Sequence, residues 1–284
     1  MIYPISFCFP TQRIREIQTK TKELSDIVPG EPYSFEDQDA YMDEYAQSQY
    51  AITKKKAGFD CMRHLEILAA GSVPLFENPE EIPTFTMTHY DRDLLTKGKE
   101  ATAEEWRTHF LANLTAPSMI RYMMDSMNLE KRERALFMDV SLPQRPDYLS
   151  LGLFYGMKEV FGENLDVLME IPYAYTDYGK DVKELYGKGF NYTLLLEPSQ
   201  RCSKSSLEIT MNIREGKYDL IVFPAILRGG EGNLHNLREL LRAGVPKEKV
   251  ALCIGEDAQF IQMSSWPVVQ QMMSQFALFV REIE

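Results

Sequence analysis

The chain predicts an α/β protein built from two Rossmann-like halves that face each other across a cleft. Three observations carry this. Short apolar runs alternate with helix-period segments along the 284 residues, the pattern of parallel strands covered by helices. A polar stretch, Asn128-Leu-Glu-Lys-Arg-Glu-Arg134, interrupts that alternation, which then restarts. Several apolar runs end in basic, acidic or glycine-bearing turns, and ligands of open α/β sheets bind beyond such strand ends. The expected division is residues 1–128 and 129–284.

In the first half, Ile5–Phe9 reads as a strand stopped by Pro10. Ile14, Ile17 and Leu24 lie near helical spacing, and Pro29-Gly30 would end that helix. Residues 37–48 predict an acidic helix with Tyr41 and Tyr45 on one face. Tyr50–Thr53 reads as a strand, 60–70 as a helix, and Val73–Phe76 as a buried strand after the Gly71 stop. Pro79 and Pro83 bound a loop before a long helix over 102–127, built around Trp106, Phe110, Leu114 and Met123. The second half runs strand Ala135–Val140, helix Tyr148–Phe161, strand Asp166–Met169 and helix 204–215. Strand Tyr218–Phe223, helix 233–243 stopped by Gly244, and strand Val250–Ile254 complete it.

Composition bounds the function. With 44% hydrophobic residues the chain can bury a large core. A formal charge of −11 argues against nucleic acid as a partner. Cys8, Cys61, Cys202 and Cys253 are far apart and show no metal-ligand spacing, so reduced thiols are expected. Cys61 reads as helix packing rather than as a nucleophile. Met1–Phe7 lacks the basic start and long apolar core of a signal peptide. No run approaches the ~18 apolar residues of a membrane span. A soluble, cytoplasmic protein is the expectation.

The segment Tyr50–Phe76 is the most informative. Its strand, basic turn and helix bring Lys54, Lys55, Lys56, Arg63, His64 and Glu66 to a strand's C-terminal end. Lysines, an arginine and helix-N-terminal amides suit a diphosphate, and a carboxylate one turn on can accept from sugar hydroxyls. A nucleotide-sugar site is the sharp reading. A solvated lysine face beside a helix stop and a core strand is the plain alternative.

This segment resembles the donor-binding part of GT-B glycosyltransferases, through Glu66-Ile-Leu-Ala-Ala-Gly-Ser-Val-Pro-Leu-Phe76. It is more similar to exostosin-like proteins, and most to a bacterial and algal-virus group carrying Lys-Lys-x-Gly-Trp-Asp-Cys-x-Arg-His-Tyr-Glu-Ile. Phe59 and Leu65 stand where that group usually has Trp and Tyr. The second half resembles the same group at Pro146–Leu149, Leu153–Gly156, Leu185–Phe190, Tyr218–Leu220, Ala225–Gly229 and Gly255–Asp257. In most members that half comes first, so this chain reads as circularly permuted. Permutation is physically cheap when termini lie close together.

The resemblance implies a GT-B-like enzyme, with 1–128 binding the nucleotide-sugar donor and 129–284 forming the acceptor side. It implies inverting transfer from a UDP-sugar, UDP-xylose being one candidate, to a glycan hydroxyl, and a role in virion or surface glycans. For a viral protein the compartment is the host cytoplasm. Lys55, Lys56 and Arg63 would hold the leaving diphosphate, with Lys54 facing solvent, and Glu66 the donor ribose or sugar. His64 reads equally as a phosphate contact or a satisfied structural histidine. Asp60 is expected to cap the helix that follows it, with ligand contact second, and Ser48 to add a hydroxyl.

The base should come from the second half. Asp147 fits, although it can equally cap the 148–161 helix, and Asp139 is the runner-up. Arg228 would contact acceptor or phosphate, and Glu256 and Asp257 acceptor hydroxyls or the interface. Tyr173, Tyr175, Tyr178, Tyr186 and Phe190 offer aromatic surface. Asp37-Gln-Asp39 and Asp91-Arg-Asp93 match the metal-holding pair of GT-A enzymes, but neither follows a clear strand, so no cofactor or divalent metal is expected. The alternatives are a metal-dependent GT-A enzyme and a non-catalytic nucleotide- or sugar-binding protein. An epimerase is disfavoured because no Gly-x-Gly-x-x-Gly follows a strand.

Overall fold

Every strand pair among the described residues is parallel. The computed structural model describes residues 1–31, 35–257 and 260–283. In chain order the first elements are β1 (Ile2–Pro4), β2 (Lys22–Leu24), α1 (Gln38–Gln47), β3 (Ser48–Thr53), α2 (Met62–Ala69) and β4 (Val73–Phe76). Next come α3 (Arg92–Lys97), α4 (Ala103–Asn113), α5 (Ala116–Ser126), β5 (Ala135–Phe137), α6 (Tyr148–Phe161) and β6 (Leu165–Val167). The chain continues through α7 (Ser206–Arg214), β7 (Leu220–Phe223), α8 (Gly230–Arg242), β8 (Val250–Ile254), α9 (Phe260–Met263), α10 (Pro267–Gln275) and β9 (Ala277–Val280).

A six-stranded sheet runs β1-β9-β8-β7-β5-β6, and a three-stranded sheet runs β2-β3-β4. This is a Rossmann-like α/β architecture. In the large sheet the chain goes from β5 outward to β6, then returns to β7 on the other side. The order therefore reverses between β5 and β7, and that switch point opens a crevice beyond their C-terminal ends. No helix among the described residues is long and apolar enough to cross a membrane.

The first expected strand lies elsewhere. Residues 2–4 pair with β9, in the register Tyr3 to Phe279, so β1 belongs to the sheet otherwise built from residues after 134. Ile5 N–H donates to Val280 O at 2.9 Å, and the chain then leaves the sheet. It runs extended through the core until Phe9 bridges Thr115. The helix expected around Ile14, Ile17 and Leu24 is absent. Thr11–Arg13 make one 3-10 turn, and the chain then feeds edge strand β2. The apolar spacing misleads there because Leu24 is 41% exposed and lines no buried face.

The long helix over 102–127 is two helices. Thr115 takes an extended backbone at the break, because Phe9 inserts its bridge there and Pro117 enters the first turn of α5. Strand β5 ends at Phe137 rather than Val140, and β6 is Leu165–Val167. Helix α8 begins earlier than expected, at Gly230. The elements α3, α9, α10 and β9 were not foreseen.

One apolar core runs through both sheets, from Tyr41, Leu65 and Phe110 to Phe137, Phe154 and Phe279. A second fills the other face of the large sheet, around Leu136, Phe223, Leu252 and Val269. Helices α5 and α6 join the halves, and a Cβ on Gly156 would collide with the carbonyl of Ala116.

Candidate functional site

A cavity of about 500 Å³ opens at the switch point. Arg145, Pro146, Asp147 and Tyr148 reach it from the turn between β5 and α6, and Ala225 and Arg228 from the turn between β7 and α8. Gly255, Glu256 and Asp257 follow β8, Phe7 follows β1, and Tyr186 enters from a 3-10 segment at Tyr186–Gly189. The sheet topology thus gathers two guanidinium groups, three carboxylates and three aromatic rings at one place.

Local chemistry fixes most of these groups. Asp147 is the N-cap of α6 and accepts from Ser150 N at 2.8 Å. Its other oxygen pairs with Arg228 Nη1 at 2.5 Å, while Arg228 Nη2 donates to Pro146 O at 2.9 Å. Arg281, fully buried just past β9, donates through Nε to Gly255 O at 2.9 Å and pairs with Asp257. The Arg281 guanidinium also lies 4.4 Å from the Phe7 ring centre. Tyr148 makes edge contact with Phe7 and packs against Tyr186, ring centres 5.6 Å apart. Gly187, at φ 61°, leaves room for the Tyr148 hydroxyl, which a Cβ there would strike.

Glu256 differs from its neighbours. Its Oε2 is buried and has no hydrogen-bond partner among the described residues. Burial pushes its carboxyl above the ordinary range, and Asp147 adds to that, while Arg228 and Arg281 oppose it. Asp139 sits nearby at the end of β5. Its Oδ1 accepts from Ser141 N (2.8 Å), Ser141 Oγ (2.7 Å) and Leu142 N (3.2 Å), so it shapes the turn that carries Arg145. Burial raises the Asp139 carboxyl too, but Asp139 is not among the cavity's lining residues.

The residues expected on the donor side are placed differently. Lys55 and Lys56 are exposed on the turn after β3, with Lys55 Nζ 4.1 Å from the Phe59 ring centre. Lys54 keeps its side chain 42% exposed, facing solvent as expected, with its ammonium 4.0 Å from Glu77. Arg63, His64 and Glu66 are buried on α2. His64 Nε2 donates to Phe59 O at 2.8 Å, which makes Nδ1 the acceptor for the Thr53 hydroxyl at 2.7 Å. Burial lowers its pKa to about 4, so it is a satisfied neutral histidine. Glu66 accepts from the Tyr41 hydroxyl at 2.7 Å and from Asn191 Nδ2 at 2.9 Å, an internal tie between the halves.

Asp60 does not cap α2. Cys61 occupies the N-cap position without a side-chain bond, and Asp60 Oδ2 instead accepts from Phe7 N at 2.6 Å. Ser48 begins β3, at the end of the strand opposite the basic turn, and its hydroxyl donates to Glu44 O at 2.7 Å. It is therefore part of the α1–β3 junction. Both Asp-x-Asp pairs start helices: Asp37 caps α1 and Asp91 caps α3. No cluster of three or more His, Cys, Asp or Glu groups suited to a metal occurs among the described residues.

The structure thus brings Asp147, Arg228, Glu256 and Asp257 together and leaves Lys55, Lys56, Arg63, His64 and Glu66 outside that lining. The basic turn still abuts the site, because Arg281 Nη1 donates to Asp60 O at 2.6 Å. Sequence reasoning missed Phe7, Arg145 and Tyr148 as lining residues. Arg145 and Tyr148 flank Pro146-Asp147 between a strand and its helix cap, and that position was the available signal. Comparison with protein-family models, with curated proteins and with solved structures found no match.

Proposed function

We propose that this chain is a GT-B-like glycosyltransferase that moves a sugar from a nucleotide-activated donor, a UDP-sugar, to a glycan hydroxyl, inverting and without a metal. The carrying observation is the content of the switch-point cavity. Sugars present hydroxyls along their edges and C–H faces above and below. Carboxylates accept from the hydroxyls, guanidinium groups donate to them, and the rings of Tyr148, Tyr186 and Phe7 match the C–H faces. Arg145 lines the cavity with no ion pair to a described residue, so it is free to meet the leaving diphosphate. The exposed Lys55 and Lys56 lie on the adjoining turn.

The sequestration of His64 and Glu66 favours a second reading, a non-catalytic nucleotide- or sugar-binding protein that keeps this fold. Thermal melts with UDP, GDP, ADP, CMP and their common sugars separate the two. A ligand at 100 times its dissociation constant stabilises a fold by ~2.7 kcal/mol, a shift of a few degrees. An EDTA-insensitive shift with a uridine nucleotide, weakened in Arg145→Ala and accompanied by release of UDP from its sugar, is expected. Binding without turnover would support the second reading, and no shift with any compound would overturn both.

A further inference from the structure

We infer that Glu256 is the proton acceptor of this site, an inference that rests on the transfer reaction proposed above. Three carboxylates line the cavity, and two are engaged. Asp147 has one oxygen on the Ser150 amide and the other on Arg228. Asp257 is paired with Arg281. Glu256 alone among them carries a buried oxygen with no hydrogen-bond partner among the described residues. A buried acceptor left open costs stability unless something meets it, and a substrate hydroxyl in the cavity is a donor of the right kind.

The loop that carries it is held firmly. Arg281 fastens the Gly255 carbonyl, and Gly255 lies so close to Leu149 that an added Cβ would come within 2.8 Å of Cδ2. The charged groups acting on Glu256 come from three directions: Asp147 from the start of α6, Arg228 from the turn after β7, and Arg281 from beyond β9. Burial comes first among the influences and raises the carboxyl, which brings a glutamate nearer the range of a useful base. Asp139 also has a buried open oxygen, but it lies outside the cavity lining.

The step balances without another reactant. The acceptor hydroxyl oxygen bonds to the anomeric carbon as its proton passes to the Glu256 carboxylate on the cavity lining. The bond from that carbon to the donor diphosphate breaks, and its electron pair leaves on the phosphate oxygen. Glu256 ends as a neutral acid and returns the proton to solvent at the cavity mouth.

The test measures nucleoside diphosphate release from UDP-xylose, UDP-glucose, UDP-galactose, UDP-N-acetylglucosamine and GDP-fucose, with methyl glycosides as acceptors. Melting shifts with the same donors report binding. Glu256→Gln should lose roughly 100-fold or more in kcat, the range of general-base contributions, while its donor-induced shift stays as in wild type. Glu256→Asp should keep part of the rate. The wild-type kcat/KM profile should fall on the acid side above the ordinary glutamate range, with that limb missing in Glu256→Gln.

Glu256→Gln within about threefold of wild type overturns the inference while leaving glycosyl transfer standing. So does a wild-type profile without the acid limb, which decides the matter even where a variant folds poorly. Donor that binds but is never turned over by wild type removes the transfer reading and the base with it.

Discussion

Asp60 sits where the basic turn, the segment after β1 and the end of β9 meet. Its carboxylate takes the Phe7 amide, its carbonyl takes Arg281, and its own amide donates to Glu282 Oε1 at 3.0 Å. Burial pushes its pKa up to about 7 from the ordinary 3.8, with Arg281 opposing and Glu282 reinforcing. The folded protein therefore holds this proton more tightly than the unfolded chain does. That stabilisation is complete below pH 3.8 and is lost as pH rises through about 7. His64 has the opposite sign. Its value falls to about 4, so its contribution is present above 6.5 and is lost as pH drops. Comparing Asp60→Asn with wild type cancels the histidine. The melting-temperature difference should move in favour of the variant between pH 4 and 7.5, and a difference constant across that range would show that Asp60 does not titrate there.

Positions in the cavity lining were legible from sequence where strand-end position decided them, as for Asp147, Arg228, Glu256 and Asp257. Side-chain roles were not legible where the partner came from far along the chain. Glu66 looks like an exposed helix carboxylate until Asn191 and Tyr41 close on it, and Asp60 looks like a cap until Phe7 claims it.

Among the elements, β4, β8 and α6 match the sequence expectation to the residue. Each has a local stop. Gly71 precedes β4, Asp147 caps α6 and Gly162 follows it, and β8 is a short apolar run between polar turns. Strand β2 gave no such sign, since an edge strand with pattern Lys-Glu-Leu has no buried face to reveal it. The break between α4 and α5 depends on Phe9, over a hundred positions earlier, and Pro117 was its one local sign.

The crossing of α5 and α6 supplies a prediction at this scale. Gly156 meets the Ala116 backbone and Ile120, and Gly152 meets the Cys8 backbone and Sγ. A methyl at Gly156 has no flexible end to push aside. Although alanine raises helix propensity by ~1 kcal/mol, overpacking of about 1–3 kcal/mol or more should outweigh it. Gly156→Ala is expected to lower the urea midpoint with an unchanged m-value. An unchanged or higher midpoint would mean the two helices separate easily.

Across the whole molecule, the predicted division at 128/129 falls in the connection between α5 and β5, yet the halves share their interior. The core that contains Tyr41, Leu65 and Trp106 also contains Phe137, Phe154 and Phe279. Polar ties cross the same boundary: Asn191 N to Gln38 Oε1 at 2.7 Å, Lys188 Nζ to Phe35 O at 2.8 Å, and Arg13 Nη2 to Thr193 O at 3.3 Å. Strand β1, from the first half, completes the edge of the second half's sheet. Separate domains exchange few such contacts and can melt apart. A shared core makes partial unfolding expose apolar surface on both sides, which couples the two sheets into one transition. Differential scanning calorimetry should give a single peak with equal calorimetric and van't Hoff enthalpies. A fragment of residues 129–284 should lack native circular dichroism, since it loses both β1 and the helix that covers α6. Two resolved peaks, or a folded fragment, would show that the halves hold themselves together and that the cleft between them is free to open.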